Sequence, residues 1–135
     1  MSEFSTSGID HVGLTVKDLT ASSNFFINCL GFKKVGERLE YPAVFIADDR
    51  VMITLWQAKD DAEILDFDRQ HHVGLHHLAF HVQNHEQLDQ LFAKIKNWQA
   101  IKIEFAPENL GTTEARHFMI YEPSGNRIEF ISRNI

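Results

Sequence analysis

The sequence predicts an α+β fold in which two tandem βαβββ modules form curved mixed sheets around a shared cleft. Three observations lead to this prediction: a repeated segment, the alternation of apolar residues within it, and an apolar helical stripe after each copy. Residues 8–16 (GIDHVGLTV) align with residues 74–82 (GLHHLAFHV). A long-period repeat indicates duplicated structural units. The 135 residues are therefore interpreted as one domain, with modules at 8–57 and 74–133 and a linker at 58–73.

The first module begins with a strand at 11–16, where apolar residues alternate with small or polar ones. A helix follows, with Asp18 and Thr20 as alternative N-caps and Gly31 at its end. Further strands are predicted at 33–40, 43–48 and 51–57, and Asp48-Asp49-Arg50 is the turn between the last two.

The second module repeats this order, beginning with a strand from His77. Asn84 is the predicted N-cap of a helix whose apolar stripe is Leu88, Leu91, Phe92 and Ile95. Strands are predicted at 101–105, 115–121 and 127–132, with the turn Glu122-Pro123-Ser124-Gly125-Asn126 before the last.

Composition excludes several classes of function. The net charge is −6, which argues against a nucleic-acid partner because phosphate binding requires clustered Lys and Arg. No apolar stretch approaches the length of a membrane span. Cys29 is the only cysteine and residues 1–8 have no features of a secretory signal, so we expect a cytoplasmic protein.

Strand alternation predicts which side chains face the cleft. The apolar set of each strand is expected to cover the helix, so the other set faces the cleft. Both faces of the strand at 51–57 are apolar, and its equivalence to 127–132 assigns Met52, Thr54 and Trp56 to the cleft. The remaining cleft residues are His11, Gly13, Thr15, His77, Ala79, His81, Arg127, Glu129 and Ile131.

The same alternation selects among the histidines. His76 would share its face with Leu78 and Phe80, which makes it a poor candidate for the cleft. His77 and His81 have the i, i+4 spacing of a helical metal site. On a strand this spacing separates them by roughly 13 Å, so they are not expected to share an ion.

His11, His77 and Glu129 are the candidate metal ligands. A carboxylate inside the apolar segment 127–132 must be paired, protonated or metal-bound if it is buried. Two histidines at matching repeat positions and one carboxylate form a facial triad, which suits Fe(II), Mn(II) or a related ion. The predicted cleft is therefore a metal-binding one.

The chain resembles the vicinal oxygen chelate superfamily, which includes glyoxalase I, extradiol dioxygenases, fosfomycin-resistance thiol transferases and bleomycin-resistance proteins. The resemblance runs from Ile9 to Ser132. It is carried by Ile9-Asp10-His11-Val12, Leu30-Gly31-Phe32, residues 74–80 and residues 122–129. It implies that His11, His77 and Glu129 hold one divalent ion (Fe, Mn, Zn, Ni or Mg) that chelates two neighbouring oxygens of a small-molecule substrate.

Thr54 stands where glyoxalase I has a fourth ligand, so the resemblance favours dioxygenase-like chemistry over glyoxalase I chemistry. The alternative is a metal-free antibiotic-binding protein of the bleomycin-resistance kind.

His81 and His117 are candidate catalytic acids or bases, and a structural role is an equal alternative for each. The candidate substrate-binding residues are Met52, Thr54, Trp56 and Met119. We also expect a homodimer, with the cleft closing either within one chain or across the dimer.

Overall fold

The computed structural model describes residues 3–135 and contains two compact units, the first ending at Ala58 and the second running from Lys59 to Ile135. Each unit contains one four-stranded mixed sheet, in which the first strand is parallel to the last and the other pairs are antiparallel. The prediction of two paired βαβββ modules is confirmed.

The first unit has the strand order β1-β4-β3-β2. Its elements are β1 (His11–Val16), α1 (Leu19–Asn24), β2 (Lys33–Arg38), β3 (Ala43–Ala47) and β4 (Met52–Gln57). Asp18 caps α1, because its Oδ1 atom accepts a hydrogen bond of 3.0 Å from the Ala21 amide. A π-helical turn, Phe25–Cys29, continues α1 and supplies the fully buried rings of Phe25 and Phe26 to the core.

The second unit has the strand order β5-β8-β7-β6. Its elements are β5 (Leu78–His81), α2 (His85–Ile95), β6 (Lys102–Asn109), β7 (Arg116–Tyr121) and β8 (Arg127–Ser132). Asn84 caps α2 by accepting a hydrogen bond of 2.8 Å from the Gln87 amide, as predicted.

One face of the second sheet is an aromatic core beneath α2. The Phe92 ring of the helix meets Phe118 edge-on at a centroid distance of 5.2 Å. Phe118 stacks on Phe130 at 5.0 Å, and Phe130 stacks on Phe80 at 5.9 Å. Burying such rings stabilises the unit by roughly 1.5–3 kcal/mol each. The opposite face of this sheet is therefore left for other side chains.

Several element boundaries differ from prediction by one or more residues. The strand predicted at 33–40 ends at Arg38, and the strand predicted at 101–105 continues to Asn109 through two register shifts. The strand predicted from His77 begins at Leu78, so His76 and His77 both precede it. None of the helices in the described range, 3–135, is long and apolar enough to cross a membrane.

Candidate functional site

The face of the second sheet opposite α2 carries several of the predicted site residues. In the strand register, Ala79 of β5 and Met119 of β7 flank Glu129 of β8. His81 and His117 flank Ile131 in the next row. Residues opposite each other in register project to the same face, so Ala79, His81, Glu129 and Ile131 share one face of this sheet, together with His117 and Met119.

Glu129 is the centre of this face and lies between two imidazoles. Its Oε2 atom is 2.5 Å from Nδ1 of His117, and its Oε1 atom is 3.3 Å from Nε2 of His77. The Glu129 side chain is 11% exposed. The ring of Phe105 meets the His117 ring at a centroid distance of 4.9 Å and shields it. A mostly buried carboxylate requires polar partners of this kind.

His77 also contacts its neighbour in the chain. Nδ1 of His77 lies 2.8 Å from Nδ1 of His76, and Nδ1 of His76 lies 3.3 Å from Nη1 of Arg127. The prediction that His76 lies on the face of Leu78 and Phe80 is therefore wrong. The alternation rule does not apply to His76, because it precedes the first paired residue of β5, Leu78.

Arg127 is anchored by a second carboxylate. Its Nε and Nη2 atoms donate to the two oxygens of Glu104 over 2.8 and 2.7 Å, and these bonds lower the pKa of Glu104 to about 2. Tyr121 donates its hydroxyl to Glu104 over 2.7 Å, and Arg69 of the segment 58–73 donates to that hydroxyl over 2.8 Å. Desolvation of the ring is the larger cause, and the positive charge of Arg127 the next, of a pKa of His76 below its ordinary value.

Two other predicted residues differ in exposure. His81 is exposed, whereas Met119 is buried beside Glu129. His81 is thus the candidate acid or base of this face that solvent and small molecules reach. Met119 contributes apolar surface next to the carboxylate.

The first unit positions the remaining predicted residues on one face of its own sheet. The β1–β4 register pairs His11 with Met52, Gly13 with Thr54 and Thr15 with Trp56, so these six residues share one face of the sheet. The His11 side chain is half exposed, and its Nδ1 atom lies 2.7 Å from Oδ2 of Asp10. With Nδ1 engaged, Nε2 is the nitrogen that His11 presents for a ligand.

Thr54 is engaged within the protein. Its buried hydroxyl accepts a hydrogen bond of 2.9 Å from Nε1 of Trp56 and lies 3.5 Å from the Val12 carbonyl oxygen. Gly13 allows this arrangement, because a Cβ there would lie 3.1 Å from the Thr54 hydroxyl. Thr54 is a neutral side chain whose hydroxyl already has partners, which makes it a weak candidate ligand.

Trp56 is part of an aromatic cluster that sequence reasoning did not identify. Its ring lies 5.1 Å from the Tyr41 ring and 5.8 Å from the Phe45 ring, measured between centroids. Phe45 pairs with Thr54 across β3 and β4, which the alternation of β3 could have indicated. Tyr41 precedes β3 and follows no such pattern.

The second unit brings together His77, His117 and Glu129, with Met119 alongside. The first unit brings together His11, Met52, Thr54 and Trp56 on one face of its sheet. Within residues 3–135, no three His, Cys, Asp or Glu side chains have the arrangement of a ready metal site. The donor chemistry of His77 and Glu129 nevertheless fits a divalent ion, because an imidazole nitrogen and a carboxylate oxygen face each other.

Comparison with known proteins gives one family. The family model described as the Glyoxalase/Bleomycin resistance protein/Dioxygenase superfamily matches residues 8–130. A curated relative, the uncharacterized protein YqjT of Bacillus subtilis (strain 168), is 34% identical over 88 residues. That match covers 63% of this chain and 66% of the relative, just under two thirds of its length.

Solved structures share the fold. A glyoxylase/bleomycin resistance protein/dioxygenase domain from Frankia sp. EAN1pec has a TM-score of 0.81 at 23% identity, covering 95% of this chain and 93% of that one. A lactoylglutathione lyase from Agrobacterium tumefaciens has a TM-score of 0.71 at 21% identity, covering 96% of each chain. The fosfomycin resistance protein FosX from Listeria monocytogenes, complexed with Mn(II) and sulfate, has a TM-score of 0.69 at 19% identity, covering 94% of this chain and 93% of that one.

Proposed function

Since the chain belongs to the Glyoxalase/Bleomycin resistance protein/Dioxygenase superfamily, we propose that it is a divalent-metal-dependent enzyme acting on a small molecule with two neighbouring oxygens. The observation that carries this proposal is the position of Glu129, a mostly buried carboxylate with His77 Nε2 3.3 Å from one of its oxygens. His117 already pairs with Oε2 of Glu129, so the second imidazole at Oε1 supports a 2-His-1-carboxylate metal site.

His77, Glu129 and His11 are the proposed ligands. His11 enters this set because it occupies the position of His77 in the sequence repeat. The contact between Asp10 and Nδ1 of His11 supports this role, since ligating histidines usually donate their other ring nitrogen to a carboxylate or carbonyl. The ion would be Fe, Mn, Zn, Ni or Mg, and the Mn(II) complex of the FosX neighbour is compatible with this range.

When bound, the ion supplies a Lewis acid that stabilises negative charge developing on the chelating oxygens of the substrate. The chain's own residues orient the substrate and exclude water. Met119 beside Glu129, and Met52 and Trp56 on the face that carries His11, are the proposed apolar contacts of the substrate. His81 is the proposed proton donor or acceptor because it is exposed on the face of Glu129.

The reaction type is proposed from Thr54. A glyoxalase I mechanism needs a carboxylate at the fourth ligand position, and Thr54 instead presents a buried hydroxyl bonded to Trp56. We therefore favour dioxygenase-like or other chelate chemistry in which the substrate supplies two ligands. The second candidate function is a metal-free binder of the bleomycin-resistance kind, which the aromatic cluster around Trp56 favours.

Metal analysis separates the two functions. Protein purified without chelators should carry close to one divalent ion per chain, measured by plasma mass spectrometry. His77→Ala should lose it and keep the circular dichroism of the wild type. His71→Ala is the matched control, because His71 is an exposed histidine of the same unit that pairs with Asp68. Wild-type protein that neither carries nor takes up a divalent ion would support the binder instead.

The reaction type needs a second measurement. Metal-loaded protein is assayed for oxygen uptake with catechols under Fe(II) and, in parallel, with the glutathione hemithioacetal of methylglyoxal. Oxygen uptake that is lost in Glu129→Gln would support the dioxygenase-like assignment. Efficient turnover of the hemithioacetal that survives both His81→Ala and His117→Ala would contradict this assignment. It would show a glyoxalase reaction that uses neither of the two candidate bases.

A further inference from the structure

We propose that Arg69 and Lys102 form an anion subsite, which binds a carboxylate, phosphate or phosphonate group of the substrate on the face of the second sheet that carries Glu129. The position of this subsite beside a metal rests on the proposed function, whereas anion binding at Arg69 does not. The subsite defines the substrate class as a small molecule whose anionic group lies close to its two neighbouring oxygens.

The strand register places the subsite on the face of Glu129. Arg127 and Glu129 are alternate residues of β8, so both side chains project to the same face. Tyr121 lies opposite Arg127, and Lys102 lies opposite Tyr121. Arg69 reaches this row from the segment before β5, because its Nη1 atom donates to the Tyr121 hydroxyl over 2.8 Å. Both cations of the subsite therefore lie beside Tyr121, at one end of the face.

Positive charge is in excess at this end of the face. Arg69, Lys102 and Arg127 are cations, and the carboxylate among them is Glu104. Arg127 already donates to both oxygens of Glu104 through Nε and Nη2. Nη2 of Arg69 is 3.9 Å from Glu104, which is too far for a hydrogen bond. Within residues 3–135, neither Arg69 nor Lys102 is hydrogen-bonded to a carboxylate, although the whole chain has a net charge of −6.

The Arg69 guanidinium is both anchored and accessible. It donates to Tyr121, and the side chain is 33% exposed. The neighbouring carboxylate of Asp68 is engaged in its own turn, where it accepts a hydrogen bond of 2.9 Å from the Gln70 amide and lies 2.8 Å from Nδ1 of His71. The remaining donors of a planar guanidinium suit carboxylates and phosphates, which accept two parallel hydrogen bonds.

One small molecule can span the subsite and the proposed metal ligands. Alternate residues of a strand are roughly 7 Å apart, which is the spacing between the rows of Arg127 and Glu129. Side chains also connect the rows, since Nη1 of Arg127 lies 3.3 Å from Nδ1 of His76, which lies 2.8 Å from Nδ1 of His77. A substrate in which a few bonds separate the anionic group from the neighbouring oxygens fits this spacing. The local positive charge also attracts such an anion to the site.

Titration of metal-free, arginine-labelled protein with inorganic phosphate tests the subsite independently of the proposed function. We expect the ¹H–¹⁵N signal of the Arg69 side chain to shift saturably with phosphate, and much less with sodium chloride at the same ionic strength. Arg116 is the internal control, because it projects to the opposite face from His117, pairs with Asp89 and is 29% exposed, close to the value for Arg69. Equal shifts at Arg69 and Arg116, or no saturable shift at Arg69, would overturn the proposal.

Calorimetry on Mn(II)-loaded protein tests the substrate class. Protocatechuate and its methyl ester present the same pair of neighbouring oxygens, but the carboxylate is present only in the acid. Because hydrogen bonds to charged groups are the stronger ones, the wild type should bind the acid about 10–100-fold more tightly than the ester. Arg69→Leu should lose this preference and bind the ester as the wild type does. Lys102→Leu should lose part of the preference, and Arg116→Leu should retain it.

Equal affinity of the metal-loaded wild type for the acid and the ester, or no binding of the acid, would overturn the substrate class. An Arg69→Leu variant that binds both compounds equally more weakly would show that Arg69 only fastens its segment to the sheet. If this variant does not fold, Lys102→Leu provides the same comparison. A wild type that takes up no Mn(II), Fe(II), Zn(II) or Ni(II) would refute the proposed function, and the phosphate titration would still decide the anion subsite.

Discussion

Nδ1 of His117 lies 2.5 Å from Oε2 of Glu129, and each of these side chains is only about one tenth exposed. The contact is short and withdrawn from solvent, and the Phe105 ring covers the imidazole. A histidine held in this way fixes the orientation of the carboxylate. The geometry therefore supports a positioning role for His117, while His81 on the same face is the accessible candidate for proton transfer.

His117→Leu should destabilise the protein by about 1–3 kcal/mol, because it leaves an oxygen of a mostly buried carboxylate without its partner. Urea unfolding measures this cost. The double variant with Glu129→Leu should recover part of it, giving a coupling energy of about 0.5–3 kcal/mol. His81→Leu, on the same face but exposed, should stay within about 0.5 kcal/mol of the wild type. Additive costs in the double variant would show that the two side chains do not stabilise each other.

Thr54→Val should leave divalent-metal uptake unchanged, because the Thr54 hydroxyl is bonded to Trp56 and is not among the proposed ligands. The variant removes a hydrogen bond and should cost about 1 kcal/mol of stability. Plasma mass spectrometry measures the metal content and urea unfolding the stability, with His77→Ala as the variant that does lose metal. Loss of metal in folded Thr54→Val would show that the threonine oxygen is a ligand.

Much of the fold could be predicted from the sequence because each strand has one face that must be apolar. Alternation placed His81 and Glu129 on one face, and the repeat placed Met52, Thr54 and Trp56 on the face of His11. These assignments depend only on a period of two along a paired strand. They succeed wherever the pairing is regular.

The same rule failed where the pairing is irregular. His76 precedes β5, so its side chain contacts His77 instead of lying with Leu78. Glu104 lies within the first register shift of β6, between Ile103 and Phe105, and counting from the strand start could not place its carboxylate against Arg127. A β-bulge displaces every later side chain by one position. Pro107 signals the second irregularity, but it follows Glu104 and does not indicate the first. The Glu104–Arg127–Tyr121 contacts were missed for this reason.

A homodimer is expected at micromolar concentration, and light scattering should give twice the chain mass of 15.6 kDa. Each sheet has only four strands, and large apolar side chains such as Val35, Leu39 and Val73 are exposed in the single chain. Exposed apolar surface is costly in water and favours association, most often as a two-fold dimer. A mass that stays at 15.6 kDa across a concentration series would contradict this expectation.

The contribution of Glu104 to stability should depend on pH in a predictable direction. Hydrogen bonds from Arg127 lower its pKa from 4.5 to about 2 in the folded protein. A depressed pKa in the folded state means stabilisation that is complete above pH 4.5 and is lost as the pH falls from there towards 2. At neutral pH, Glu104→Gln should cost on the order of 2 kcal/mol, allowing for solvent screening at a side chain 24% exposed.

Urea unfolding of the wild type and Glu104→Gln at pH 7 and pH 3 tests this dependence. The difference in free energy of unfolding between them should shrink by roughly half or more at about pH 3, because the unfolded wild-type chain binds a proton there that the folded chain does not. Glu108→Gln on the same strand is the matched control, since Glu108 is exposed and should show a small difference at both pH values. A Glu104→Gln deficit that is equal at pH 7 and pH 3 would mean that Glu104 acts through packing and not through its charge.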